Sequence, residues 1–403
     1  MKRILMIGAG WEQTPLIQKA TSLGHWVLAT NPSLTGEALA YADEARAVDP
    51  RDIMALDRLV QEHRIEAIIT DNCDYSLYAS GLLCEKHGFP GPSFTAVSHS
   101  NNKRKSRITC AAAGIRQPAF QVCETFADAQ KGVDAVGGYP VILKPVDNRG
   151  NFGVNIATTP EELSSAYFEA VANAHSRQTV LEKFIEGTLI TVEGFAMRHP
   201  AQHVSYAVSS KKMLGGKKGV ALELNYPANL PEVIQQKAMD INDQVVKALG
   251  YDFGFTHTEY IVDAHGEIWL VESTNRGGGV FLSELILPTL TGIDVLERLV
   301  NMACGEPVPP LPTRAETPLQ GFVTLSFMRL PSGGTIKAIE GVEAMRALPG
   351  VLQGRMMVEV GEQINPIIND AKRHGFVLAT APTREALEAL IEQAKQTVQV
   401  TFV

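Results

Sequence analysis

The chain has 403 residues, 45% of them hydrophobic and 20% charged, and a formal net charge of -8. These proportions exclude a fibrous or largely disordered chain, and the length provides for two or three domains, each with its own core. The acidic balance argues against a nucleic-acid partner, because no basic tract is long enough to reverse it locally.

The start, MKRILMIGAG, reads as a buried strand from Lys2 to Ile7 and not as a signal peptide. A helix from Gln13 to Leu23 and a strand from Trp26 to Thr30 complete a β-α-β unit. Further patterns follow at Arg51 to His63 (helix), Ala67 to Thr70 (strand) and Tyr75 to His87 (helix). The alternation predicts a doubly wound α/β domain over residues 1–95. The glycines of Gly8-Ala9-Gly10 do not extend to G-x-G-x-x-G, since position 13 is Gln13, and Asn31 stands where a ribose-binding acid is needed. The motif is therefore read as a tight β-α turn.

Phe89-Pro90-Gly91-Pro92-Ser93 marks a boundary, and residues 96–310 read as one α+β unit. Within it come a helix from Asn102 to Ala113, a strand Tyr139 to Val146, a helix Pro160 to Ala174 and a strand Thr179 to Phe184. The Pro-rich stretch Glu306 to Pro312 is a linker, and residues 311–403 read as a small α/β domain. No apolar run approaches the roughly 18 residues of a membrane span. Cys73, Cys84, Cys110, Cys123 and Cys304 follow no metal or disulfide spacing and read as reduced thiols of a cytoplasmic protein.

Four stretches carry chemistry. Lys144 lies mid-strand among apolar residues, where an ammonium is costly without an anion; a snorkelling edge lysine is the alternative. The turn Asp147 to Gly153 offers the backbone amides near Gly150 and Gly153 to phosphate oxygens. Glu182-Lys183-Phe184-Ile185, with Glu193 on the next strand, forms a hinge able to face a purine edge and ribose hydroxyls, or else a hairpin with solvated charges. In THTEYIVDAHGEIWLVESTNRGGG a two-residue His265-Gly266 turn sets Glu259 opposite Glu272. Like charges so placed repel, and a hard divalent cation such as Mg²⁺ removes the conflict. Arg276 then offers a planar fork to a carboxylate or phosphoryl group, and Gly277, Gly278 and Gly279 permit close backbone approach. The loop Ser209 to Pro227, with Lys211, Lys212, Lys217 and Lys218, reads as a solvated hairpin, a substrate lid being the alternative.

The order Lys103, Lys144, Glu182-Lys183-Phe184-Ile185, Glu259 and Glu272 with Arg276 resembles the ATP-grasp superfamily. Residues 1–95 look like its pre-ATP-grasp domain, and GTIKAIEGVEAMRALPGV resembles the C-terminal domain of L-amino-acid ligases and carbamoyl-phosphate-synthase-like relatives. The resemblance implies an ATP-grasp fold and contact of ATP by Lys103, Lys144 and the hinge. It also implies Mg²⁺, two ions or Mn²⁺ in their place, on Glu259 and Glu272, with Arg276 at a substrate carboxylate or acyl phosphate. Where many members have Glu-x-Asn, this chain has Thr274 followed by Asn275, so the third metal ligand is open between those two. The implied activity is ATP-dependent carboxylate-amine ligation on small molecules, with Arg276 and Lys144 as catalytic residues, by a possible homodimer. A purine-pathway ligase or a non-catalytic ATP-binding protein are the alternatives.

Overall fold

A computed structural model describes residues 1–215, 220–368 and 372–403. Lys217 and Lys218 of the basic loop lie outside the described residues.

The first strands, Arg3–Ile7, Trp26–Asn31, Glu44–Ala47 and Ala67–Ile69, form a parallel sheet with Arg3–Ile7 between Trp26–Asn31 and Ala67–Ile69. Ile4, Leu5, Met6 and Ile7 are all fully buried, the unalternating burial of a strand covered on both faces. The strand order reverses at Arg3–Ile7, so its exit at Gly8 and the exit of Ala67–Ile69 at Asp71 open into the crevice where doubly wound sheets bind ligands.

A second, antiparallel sheet takes the order Phe120–Cys123, Thr179–Lys183, Val141–Pro145, Asn155–Ala157. The largest sheet has eight strands in the order Ile268–Thr274, Gly254–Val262, Thr188–Arg198, Ala201–Met213, Ala221–Tyr226, Phe322–Phe327, Gly375–Ala381 and Val351–Met356. Its last three strands come from beyond the Pro-rich linker. The tail is thus α/β in content, as its pattern indicates, yet it extends the central sheet through the pairing of Tyr226 with Val323 and its neighbours. Trp11, Phe281 and Phe376, from residues 1–95, 96–310 and 311–403 in turn, meet at one point. The Trp11 ring lies edge-on to Phe281 at 5.2 Å and stacked on Phe376 at 5.7 Å.

The Glu259 and Glu272 pairing is present, but the turn that produces it differs from the expected two-residue loop. Asp263 and Glu267 close a longer turn, with Gly266 at φ +74 supplying the left-handed residue. Asp263 accepts the backbone N–H groups of His265 and Glu267 and the indole N–H of Trp269. That turn sets Tyr260 opposite Leu270, one residue out of step, and a β-bulge between Glu259 and Tyr260 restores the register. All five cysteines are free thiols, and among the described residues no helix is long and apolar enough to cross a membrane.

Candidate active site

The hairpin delivers its two carboxylates to a cleft between the two antiparallel sheets, and each meets a lysine there. Helix Lys103–Ala112 starts at Asn102, whose side chain caps it by accepting from the Lys105 N–H. This start points Lys103 Nζ at Glu272 Oε1, 2.8 Å away, and at the Asn148 carbonyl, 2.9 Å away. Lys211, on strand Ala201–Met213, pairs with Glu259. Burial alone would raise the Glu259 carboxyl, but Lys211 and His257 hold it down to about 2. Lys103, Glu272, Asp147, Asn148 and Arg149 line a small open pocket together with Asp74. Above it, Gly150 and Gly153 both take positive φ, and a Cβ on Gly153 would lie 2.7 Å from Asn173 Cβ.

Lys144 is buried, and its Nζ sits 2.8 Å from Glu182 Oε2. Glu182, 1% exposed, also receives Arg107 Nε at 2.7 Å. Burial alone would raise this carboxyl too; Arg107 and Lys144 instead hold it at about 2. Arg107 goes on to donate to the carbonyls of Leu270 and Val271 on the hairpin, so one guanidinium ties both sheets together across the cleft. Glu182 therefore orients Lys144 and does not reach out to a ligand. The Lys183 ammonium caps the Gly138 and Tyr139 carbonyls at 3.0 and 3.1 Å, and the Phe184 N–H donates to Pro140, leaving Ile185 half-buried behind it.

Three of the expected contact residues make hydrogen bonds within the protein. Glu193, anticipated at the ribose, is buried and accepts from Thr191 Oγ1, Tyr226 OH and His257 Nδ1 at 2.7, 2.9 and 2.9 Å, which leaves it as the group that orients His257. Asn275 is buried with its amide N–H groups on the Phe253 and Phe255 carbonyls, so it pins the neighbouring strand. The Thr274 hydroxyl pairs with Ser100 at 2.7 Å. The Thr274 hydroxyl is thus engaged, whereas Asn275 Oδ1 is buried with no hydrogen-bond partner among the described residues. Lys211, read as solvated, is instead in the cleft. The two-residue period of its strand, which would place every second residue on one face, is the signal that was available. The same period places His257 beside Glu259, whose Oε1 lies 3.9 Å from His257 Nε2.

Arg276 leaves the hairpin toward the N-terminal sheet. Its Nε and Nη2 form a bidentate pair with Asp74 at 2.8 and 2.9 Å, and Nη1 donates to the Gly277 carbonyl. Two of the five N–H groups of a guanidinium are left for a ligand. The glycines behind it are needed for space, since a Cβ on Gly277 would lie 1.6 Å from Ser283 Oγ.

Residues 137–284 match the family model for the ATP-grasp domain, and residues 326–403 match L-amino acid ligase C-terminal domain 2. Residues 137–284 are an ATP-grasp domain. An uncharacterized protein, y4rH, of Sinorhizobium fredii is 25% identical over 390 residues, covering 92% of this chain and 76% of that one. A formate-dependent phosphoribosylglycinamide formyltransferase of Bacteroides thetaiotaomicron is 25% identical over 428 residues and 98% of both chains. Among solved structures, an L-amino acid ligase from Bacillus licheniformis superimposes with a TM-score of 0.83 at 22% identity over 100% of this chain and 99% of that one. The likeness to that fold runs over the whole of this chain. The ATP-grasp cleft also suits the ion that such domains use with their nucleotide. Two adjacent carboxylate groups supply hard oxygen ligands, and among the described residues no cluster of three His, Cys, Asp or Glu forms a complete cage. Mg²⁺ held by one or two carboxylates takes its remaining ligands from phosphates and water.

Proposed function

We propose that the chain is an ATP-dependent carboxylate-amine ligase that activates a small carboxylate as an acyl phosphate and joins it to an amine, releasing ADP and phosphate. The observation that carries this reading is the convergence of Lys103, Lys211, Glu259 and Glu272 on one cleft that ends at Arg276. Phosphoryl transfer needs positioned charge more than covalent chemistry, and this cleft offers positioned charge with no Ser-His or Cys-His pair.

Lys103 and Lys144 hold the phosphates of ATP, with Lys144 kept in line by Glu182. Glu259 and Glu272 would hold Mg²⁺, taken as two ions with Mn²⁺ as a substitute, which would supply positive charge to the phosphoryl oxygens. On binding, Lys103 exchanges Glu272, and Lys211 exchanges Glu259, for phosphate oxygens, while Lys144 keeps Glu182. The two unengaged N–H groups of Arg276 orient the acid to be activated. The glycine turn from Asp147 to Gly153 closes over the phosphates and excludes water, which would otherwise hydrolyse the acyl phosphate.

Arg276→Lys is expected to raise the KM for the carboxylate about 100-fold while the KM for ATP stays within about two-fold, because an ammonium cannot hold Asp74 and an acid with one planar fork. Steady-state kinetics in the two substrates measures this split. The reading itself is tested by ADP release from MgATP with amino acids, small carboxylates and amines supplied singly and in pairs. ADP release that needs both a carboxylate and an amine supports it; binding of ATP without such turnover across a broad set sinks it. The end-to-end similarity to a formate-dependent phosphoribosylglycinamide formyltransferase favours a second reading, in which the amine is a ribonucleotide. Turnover with a ribonucleotide amine alone would select that reading.

A further inference from the structure

The small antiparallel sheet sends two connections toward the N-terminal domain, the glycine turn Asp147 to Gly153 and the loop 173–178, and side chains tie one to the other. Asp147 accepts the backbone N–H groups of His175 and Ser176 at 2.9 and 2.8 Å. The Asn148 side-chain amide donates to the Asn173 carbonyl at 2.7 Å. Together with the close approach of Gly153 to Asn173, these contacts make the turn and the loop one unit.

That unit meets the N-terminal domain at Tyr75, in the first turn of helix Asp74–His87. The Arg149 guanidinium stands over the Tyr75 ring, 4.6 Å from its centroid, and Nη1 donates to Cys73 Sγ at 3.1 Å. From the other connection, His175 Nε2 lies 2.8 Å from the Tyr75 hydroxyl, and the two rings meet edge to face at 5.9 Å. Arg51 also lies near the ring, at 5.6 Å, but a bidentate pair with Asp49 anchors it within the N-terminal domain. Arg149 and His175 are thus the groups that join the two bodies here. Tyr75 and Arg149 line the same pocket as Lys103 and Glu272, so their contact forms part of the wall around the place where the phosphates would sit.

The chemistry gives this contact a task. If water enters, its oxygen bonds to the acyl carbon of the acyl phosphate, phosphate leaves with the bonding electrons, and the acid is regenerated. ADP has then been released with no amide formed, and a closed cleft prevents that loss. The closure must also reopen in every turnover, which favours a weak contact over a buried ion pair. A cation over an aromatic face at an exposed site shifts an equilibrium by only about two- to five-fold, and Arg149 is exposed.

We propose that Arg149 and Tyr75 are a positioning pair that holds the glycine turn shut over the phosphate pocket, so that the amine and not water reaches the acyl phosphate. The inference rests on the ligase reading for its chemistry. The contact itself rests on the geometry of Tyr75, Arg149 and His175.

The test uses the full chain and the variants Arg149→Met, Tyr75→Leu and Tyr75→Phe, with circular dichroism to verify folding. ADP and amide are quantified together with MgATP and the acid and amine that the parent chain uses, and ADP again with the amine omitted. The parent is expected to form amide and ADP in equal amounts. Arg149→Met and Tyr75→Leu should each raise ADP release without amine at least about three-fold and lower the yield of amide per ADP. A fault in folding alone would lower ADP and amide together and leave their ratio unchanged. Tyr75→Phe keeps the ring under Arg149 and should keep the parent's ratio. An unchanged ratio in Arg149→Met and Tyr75→Leu overturns the proposal, and so does a loss in Tyr75→Phe equal to that in Tyr75→Leu. If no acid supports turnover in the parent, the ligase reading falls and hydrogen exchange on the same chains decides the contact. Amides of residues 148–154 that exchange at least about three-fold faster in Arg149→Met and Tyr75→Leu support it, and equal exchange overturns it.

Discussion

Glu272→Gln is expected to lower ADP release by roughly 1000-fold or more while leaving the unfolding midpoint almost unchanged. The change keeps size and shape and removes one charge from the pair that faces across the Gly254–Val262 and Ile268–Thr274 hairpin. An electrostatic contact made to the transferring group is commonly worth about 100- to 1000-fold by itself, and loss of an ion held jointly with Glu259 adds to that. Stability responds little because the Glu272 side chain is 41% exposed and its ion pair with Lys103 borders solvent. Such a pair contributes roughly 0–1 kcal/mol. Removing it also relieves the repulsion from Glu259. Activity and urea denaturation on the same preparation measure the separation, and a variant with near-normal turnover would show that the two glutamates hold no ion needed for the reaction.

Arg107→Ala is expected to do the reverse first: to cost about 3–5 kcal/mol of stability, with loss of activity as a consequence. Arg107 is 4% exposed, and its removal leaves Glu182 with Lys144 as its single cation and strips donors from the Leu270 and Val271 carbonyls. The buried pair also sets a pH dependence. Glu182 is held at about 2 in the fold against a usual value of 4.5. A depressed carboxyl stabilises fully above its unfolded value and loses that contribution as pH falls through its folded one. Stability from Glu182 should therefore be complete above pH 4.5 and fade toward about pH 2. Urea denaturation across that range should show the slope in the parent chain and a reduced one in Arg107→Ala.

The hairpin illustrates what was legible in the residues. The opposition of Glu259 and Glu272 follows from two strands around a glycine turn, and it survived an error in the turn itself because a bulge compensates the longer loop. The α/β alternation of residues 1–95 was readable where Arg3–Ile7, Trp26–Asn31 and Ala67–Ile69 are largely apolar runs, but the edge strand Glu44–Ala47, with sequence EARA, carries no such signal. Partnerships set by long-range packing were not readable. Nothing in KRKSRITC marks Arg107 as the residue that bridges two sheets, and nothing in DNCDY tells that Asp74 will take the Arg276 fork 202 residues away. Glu193 was misjudged for the same reason: an acid on a strand near a hinge looks free until the partners brought by two other strands are known. The extension of the central sheet by the tail was likewise hidden, because strand patterns do not name their neighbours.

The central claim is that a carboxylate is activated as an acyl phosphate in the cleft between Lys103 and Arg276. The most direct measurement is trapping with hydroxylamine in the presence of MgATP and a pool of amino acids and small carboxylates, with the hydroxamate and ADP quantified together. The account predicts hydroxamate in proportion to ADP with at least one acid, and none with Glu272→Gln. ADP formed without hydroxamate from every acid, or hydroxamate formed undiminished by Glu272→Gln, would contradict it.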